Sequence, residues 1–306
     1  MPKPVRRPPA RIPQRAAPAG PPATVSGRWL LAAILLTFCA AAICAYGALC
    51  LLVYQGQWQV LFHPSHTVSA TPASAGLVYD EIHFDVTDAG QPRLDGWWIP
   101  AQQGSRWAAD TILYLHDARG SLSDTVPALV TLHALGIGVF AIDYQGFGRS
   151  SGRHPTERLA TADSVAAWTY LTDTRHIPAR SLVVYGDGVG SVFAAHIAAL
   201  FAPAGVILED PNPPGRQILL ADARSGLVPL FLIQKEKLDP TANLARAHAP
   251  KLFLDRTGST ARTRQLFNAS SYPKQYFDLR SATNATVTST LQRFLDGVLQ
   301  HPLSSE

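Results

Sequence analysis

The apolar positions of this chain fall into two kinds of run. The first is one block, Trp29 to Tyr54, "WLLAAILLTFCAAAICAYGALCLLVY", with no charged residue. At 1.5 Å per helical residue it is longer than the roughly 30 Å of bilayer hydrocarbon, so it predicts one transmembrane helix. The second kind is short: "TILYL", "GVFAIDY", "SLVVYG", "GVILE", "KLFLD" and "QYFDL", separated by stretches with a helical period. Those stretches predict helices over 122–135, 157–172, 190–201, near 261–268, and from Val287 to Leu299. Continuous apolar strands alternating with helices predict a mostly parallel sheet covered on both faces, an α/β fold. Ahead of them, residues 80–86 and "RLDGWWIP", joined by "TDAGQP", predict an antiparallel hairpin. Residues 210–249 break the rhythm with prolines and an apolar centre, and read either as a lid over a site or as helices capping the sheet.

Composition refines this picture at the N-terminus. With 47% apolar and 16% charged residues, a chain of 306 can bury a sizeable core. Residues 1–28 are proline-rich, with six basic and no acidic side chains, so they are expected to be disordered or PPII-like. By the positive-inside tendency this tail stays cytoplasmic and residues 55–306 face the other side, the periplasm if the source is a bacterium, as the Ala-, Arg- and Pro-rich composition fits. The formal charge of +4 belongs to the tail; after Tyr54, 20 basic residues face 22 acidic ones, and no nucleic-acid partner is expected. A cleaved signal peptide fits poorly, because its apolar region is typically about 7 to 15 residues and no small-x-small site follows at a suitable distance. Cys39, Cys44 and Cys50 all sit inside the apolar block, leaving no disulfide or cysteine metal site for the domain.

Three segments carry chemistry: "YLHDARGSLSD", "AIDYQGFGRSSGRHPTE" and "VVYGDGVGS". Their order and spacing resemble the α/β-hydrolase fold, and in particular the membrane-anchored Bem46-like serine hydrolases with the α/β-hydrolase domain-containing proteins 12 and 13. The resemblance runs from about Trp58 to Leu299. It implies a nucleophile elbow, an acid, a histidine base and an oxyanion loop, each with a slot that can be inspected.

The elbow slot is Gly186-Asp187-Gly188-Val189-Gly190, with Gly188 where the resemblance places the nucleophilic serine. Glycine has no group to attack with, and it relieves elbow angles that cost about 1 to 3 kcal/mol in other residues. Moving the nucleophile to Asp187 fails on spacing, since Tyr185 and Val189 are too large, and Ser191 lies inside the following helix. The acid slot aligns with Ser259; Asp255 comes too early, and Asp210 is an alternative acid position. The base slot, in the loop before the last helix, holds Asn284, which cannot act as a general base near neutral pH. The oxyanion loop reads His116-Asp117 where the family has His-Gly, placing an acidic side chain beside developing negative charge. His116 itself reads as a structural residue at a strand end, and His176, His196, His248 and His301 as surface or packing residues.

These slots predict a catalytically inactive hydrolase-like domain that binds an unknown small ligand or protein partner, with no metal and no cofactor. The alternative is an active hydrolase of esters or lipids using Asp187, Asp210 or His116 to activate water. A third reading is an envelope scaffold interacting through its surface or tail. A remote one is dinucleotide binding, because "GDGVGS" imitates a G-x-G-x-x-G loop with Glu209 about twenty residues on; Ser191 in place of the third glycine and the acidic Asp187 argue against it.

Overall fold

The computed structural model describes residues 25–86, 93–152, 154–256, 258 and 260–299. The apolar block forms helix α1 (Gly27–Leu61), 35 residues with almost wholly exposed apolar side chains, long and apolar enough to cross a membrane. It outruns the charge-free block by seven residues. The reason is packing: Val53, Gln57 and Leu61, one helical turn apart, are buried, and the Gln57 side-chain amide donates to the Ile233 carbonyl at 2.8 Å while accepting from Lys235 N at 2.9 Å. Among the described residues, those up to Ala48 belong to one compact unit and those from Leu49 onward to the other.

In the second unit, β1 (His63–Pro64) precedes a hairpin of β2 (Asp80–Asp85) and β3 (Arg93–Ile99), antiparallel as the pattern predicts; its turn, residues 87–92, lies outside the described residues. Then follow β4 (Thr111–Leu115), β5 (Arg119–Gly120), α2 (Leu122–His133), β6 (Gly138–Ile142), α3 (Glu157–Thr169), β7 (Leu182–Asp187), α4 (Gly190–Phe201) and β8 (Gly205–Glu209). The irregular stretch holds α5 (Gly215–Ala221), α6 (Leu230–Ile233) and α7 (Thr241–Arg246), all short. The chain ends in β9 (Lys251–Asp255), α8 (Thr260–Ala269), β10 (Lys274–Asp278) and α9 (Asn284–Val298).

Eight strands form one sheet in the order β10-β9-β8-β7-β4-β6-β3-β2, the six from β10 to β6 mutually parallel; β1 and β5 pair separately. Strands β4, β6, β8 and β9 are buried at every position, as expected where helices cover both faces, while the edges β2 and β10 are half exposed. Side-chain alternation divides the core in two. Leu113, Leu115, Phe140, Ile142 and Val184 pack under α3 and α4, with Trp168 and Phe193, whereas Ile112, Tyr114, Val139, Val183 and Tyr185 pack under α2 and α9, with Leu129, Leu291 and Leu295.

Two helix starts matter for the site. Ser121 caps α2 in a reciprocal box with Asp124, and the Leu122 N–H donates to Asp143 Oδ1 at 2.9 Å, fixing the loop that carries His116 and Asp117. Helix α9 begins three residues before the predicted Val287, because the Thr283 hydroxyl accepts from Thr286 N. Asn284 is therefore the first helical residue rather than a loop residue, which corrects the sequence expectation.

Candidate functional site

The site is built where the parallel strands end. After β7 the chain turns sharply into α4 at Gly188, whose φ of +54° is the left-handed conformation that a nucleophile elbow imposes. Gly190 is demanded by contact: a Cβ there would stand 2.7 Å from the Leu115 carbonyl carbon, so α4 sits directly on the end of β4. Ser191 is fully buried and its hydroxyl donates to the Gly186 carbonyl at 3.0 Å, away from any substrate.

The space above Gly188 is filled by Asp117. A Cβ on Gly188 would stand 2.9 Å from Asp117 Cβ and closer still to its carboxyl group. Asp117 Oδ1 accepts from Val189 N at 2.9 Å and from Asn212 Nδ2 at 2.8 Å. The N–H of the residue after the nucleophile is the donor that an elbow offers to an oxyanion. Here the chain's own carboxyl oxygen takes that donor, and Asn212 clamps it from the β8–α5 loop. The same contact closes the N-terminus of α4 to a pyrophosphate, and Glu209 is engaged by Tyr185 and Arg256, so the dinucleotide reading loses its phosphate cradle.

His116 lies behind this plug, fully buried against Tyr144 and Phe147. Its Nδ1 donates to the Asp117 carbonyl at 2.6 Å, while Nε2 stands 3.6 Å from Asp143 Oδ1, too far for a hydrogen bond. Burial pulls the imidazole down to about 4, so the ring is neutral at physiological pH and braces the loop. Of the acid positions, Ser259 lies outside the described residues. Asp255 is buried at the end of β9 and accepts from the Tyr276 hydroxyl at 3.0 Å and from Gly258 N at 3.1 Å, a turn-forming role. Asp210, at φ +42°, accepts from Arg256 N at 2.8 Å.

On the other face of the same strand ends, a cleft of about 620 Å³ opens between α2 and α9. Tyr114 and Tyr185 line it, Ala128, Val130, Val287 and Leu291 give it apolar surface, and Asp187, Glu209, Asp210, Arg256 and Asn284 supply its polar groups. The Tyr114 hydroxyl donates to Asp187 Oδ2 at 3.1 Å, the Tyr185 hydroxyl donates to Glu209, and the Arg256 guanidinium pairs with Glu209. Burial, reinforced by the charges of Glu209 and Asp117, pushes the Asp187 carboxyl up to about 7.

The fold thus separates the predicted residues into two groups. Gly188, Val189 and Asp117 meet at the closed elbow, while Asp187, Asp210 and Asn284 share the cleft. Asn212, Tyr114, Tyr185 and Arg256 carry as much of the geometry, and no motif marks them. Only the strand-end positions of the two tyrosines, two residues before Asp187 and the histidine-aspartate pair, offered a signal. Among the described residues, no group of three His, Cys, Asp or Glu is arranged to hold a metal ion.

An eight-stranded, mostly parallel sheet with a glycine-flanked elbow after a central strand defines an α/β-hydrolase fold, and this chain has that fold. Its relatives include the uncharacterized protein Rv2307c of Mycobacterium tuberculosis, 26% identical over 233 residues, covering 74% of this chain and 79% of the relative. Human alpha/beta hydrolase domain-containing protein 17B is 31% identical over 115 residues, 37% of this chain and 40% of the relative. No family model matches. Among solved structures, the Pyrococcus furiosus esterase Pf2001 superposes with a TM-score of 0.60 at 16% identity, covering 78% of this chain and 99% of the esterase. An α/β hydrolase of Vibrio vulnificus gives 0.57 at 18% identity, covering 74% and 82%.

Proposed function

We propose that this chain is a membrane-anchored α/β-hydrolase-fold protein that has lost serine-hydrolase chemistry and acts by binding a ligand in the α2–α9 cleft. The observation that carries the reading is the Asp117 carboxyl group, which takes the Val189 N–H and stands against Gly188 where a nucleophile side chain would be. A tetrahedral intermediate would need that same donor, and an acidic side chain there opposes its negative charge. The ligand that suits the cleft has an apolar body against α2 and α9 and a polar head that donates to Asp187 and Asp210. Helix α1 is the anchor, with residues 1–28 cytoplasmic and the domain on the far side. Full-length protein in mild detergent is expected to resist a fluorophosphonate probe and to hydrolyse short esters no faster than buffer. Labelling of a serine, or turnover lost on Asp117→Ala or Asp187→Asn, overturns the inactive reading.

One observation favours a second reading. Asp187, held near 7 and bonded to Tyr114, is poised to exchange protons at physiological pH, as a general acid or base must. In that reading Asp187 activates water for hydrolysis without a covalent intermediate. It requires turnover in a broad ester, amide and phosphoester screen that Asp187→Asn abolishes, and a screen with no such substrate removes it.

A further inference from the structure

The irregular stretch between β8 and β9 carries an apolar surface that the proposed function does not use. Leu227, Phe231 and Leu232 are 68, 79 and 71% exposed, and Leu220 is 49% exposed. Beyond α1, the other exposed large apolar residues, such as Val78, Leu200 and Tyr272, are scattered singly along the chain. The segment is not simply loose. Leu219, Val228 and Leu230 are buried in the core, so the outward positions are held out by inward ones.

Its place explains its chemistry. The segment is fastened to the end of α1, with Ile233 O and Lys235 N on the Gln57 amide and Lys235 Nζ 3.6 Å from the Tyr54 ring centroid. Leu51, Leu52 and Tyr54 on the same part of α1 are also exposed, and Leu52 shares a small cavity with Arg224 and Ser225. Tyr54 closes the charge-free block, and Gln55, Gln57 and Gln59 follow, so the helix changes there from an apolar to a polar surface. A tyrosine and a lysine at such a boundary are the side chains that settle at the headgroup level, the lysine with its stem along apolar surface.

We infer that Leu220, Leu227, Phe231 and Leu232 form a second membrane contact, inserted into the interfacial layer of the bilayer beside the end of α1. The occupant is lipid, because the segment that carries the patch is fastened at Tyr54 and Gln57, where the charge-free block read as crossing the bilayer ends, and the inference rests on that reading. Insertion of about 5–10 Å reaches the acyl boundary without a further spanning segment.

The test uses the full chain in vesicles of phosphatidylcholine and phosphatidylglycerol, with Cys39, Cys44 and Cys50 replaced by alanine. Single cysteines at Phe231→Cys and Leu227→Cys carry an environment-sensitive dye. Ile43→Cys, within the charge-free block, reports on the anchor, and Leu200→Cys, at the end of α4 remote from the elbow, is the aqueous control. The inference expects the dyes at 227 and 231 to shift to the blue and to lose about half or more of their emission to shallow doxyl-labelled lipid, with Leu200→Cys unaffected. Ile43→Cys quenched while 227 and 231 stay water-like overturns the second contact alone. Ile43→Cys unquenched overturns the anchor and the inference with it. Blue-shifted but unquenched dyes, with the unlabelled Phe231→Cys or Leu227→Cys chains forming disulfides between copies, give the patch to a second copy of the chain and also overturn it.

Discussion

The two faces of the β7 carboxyl end have opposite fates. On one, the turn at Gly188 is closed by Asp117 and Asn212, with the Val189 N–H already taken. On the other, one residue earlier in sequence, Asp187 points into an open cleft beside Tyr114, Glu209 and Arg256. Asp187 ends β7 on the cleft side, whereas Gly188 already lies in the turn, where its left-handed φ swings the chain toward Asp117. The contrast teaches that a fold can retain every backbone feature of a reactive turn, including its left-handed φ and its close helix packing, while its available chemistry moves to the neighbouring residue.

The largest effect expected from breaking this contrast comes from Gly188→Ser. It places a side chain at positive φ and against Asp117, and is expected to destabilise by about 3 kcal/mol. Adding Asp117→Gly removes the collision, so the double variant should regain part of the loss in thermal melts. Losses of Gly188→Ser and Asp117→Gly that simply add in the double variant would show that Asp117 does not occupy that space.

Next comes the pH response of the open face. Asp187 is held near 7 in the folded chain against 3.8 when unfolded, so the folded state keeps the proton between those values. Its contribution therefore declines as pH rises from about 4 to about 7 and is constant above that. Asp143 (about 7) and Asp163 (about 6), both raised by burial, act in the same direction. Asp187→Asn keeps an acceptor for Tyr114 and is expected to stabilise by up to about 4 kcal/mol more at pH 8 than at pH 4. Equal gains at both pH values would remove the buried-acid account.

Asp117→Ala should cost about 1–2 kcal/mol by leaving the Val189 N–H and the Asn212 amide without their acceptor. Hydrogen exchange at Val189 should accelerate with it, and unchanged exchange would mean that another group protects this amide. The smallest effect is Thr288→Trp, at a half-buried position on the cleft wall, expected within about 0.5 kcal/mol of wild type. It should nonetheless empty the cleft of any small molecule that mass spectrometry detects with the wild-type protein purified in mild detergent.

Much of the architecture was legible because its causes are local. Runs such as "GVILE", apolar on both faces, announce a buried parallel strand, and the spacing of Gly186, Gly188 and Gly190 announces a tight strand-to-helix turn. What could not be read depends on pairs distant in sequence. Asp117 looked merely unfavourable near an oxyanion; its partnership with Asn212, 95 residues away, makes it a plug. The extension of α1 to Leu61 depends on an amide of Gln57 reaching 176 residues ahead to Ile233. Asn284 reads as a loop residue because the apolar period starts only at Val287, whereas the hydroxyl of Thr283 as N-cap starts the helix three residues earlier.

The Asp117 plug also bears on how such a domain could change over generations. Placing serine at 188 alone meets a collision, and removing Asp117 alone strands two donors, so each single step toward a serine elbow lowers stability before anything is gained. Even the two together still lack a base at 284. The carboxyl group that closes the elbow acts as a ratchet, making a serine nucleophile hard to install one substitution at a time.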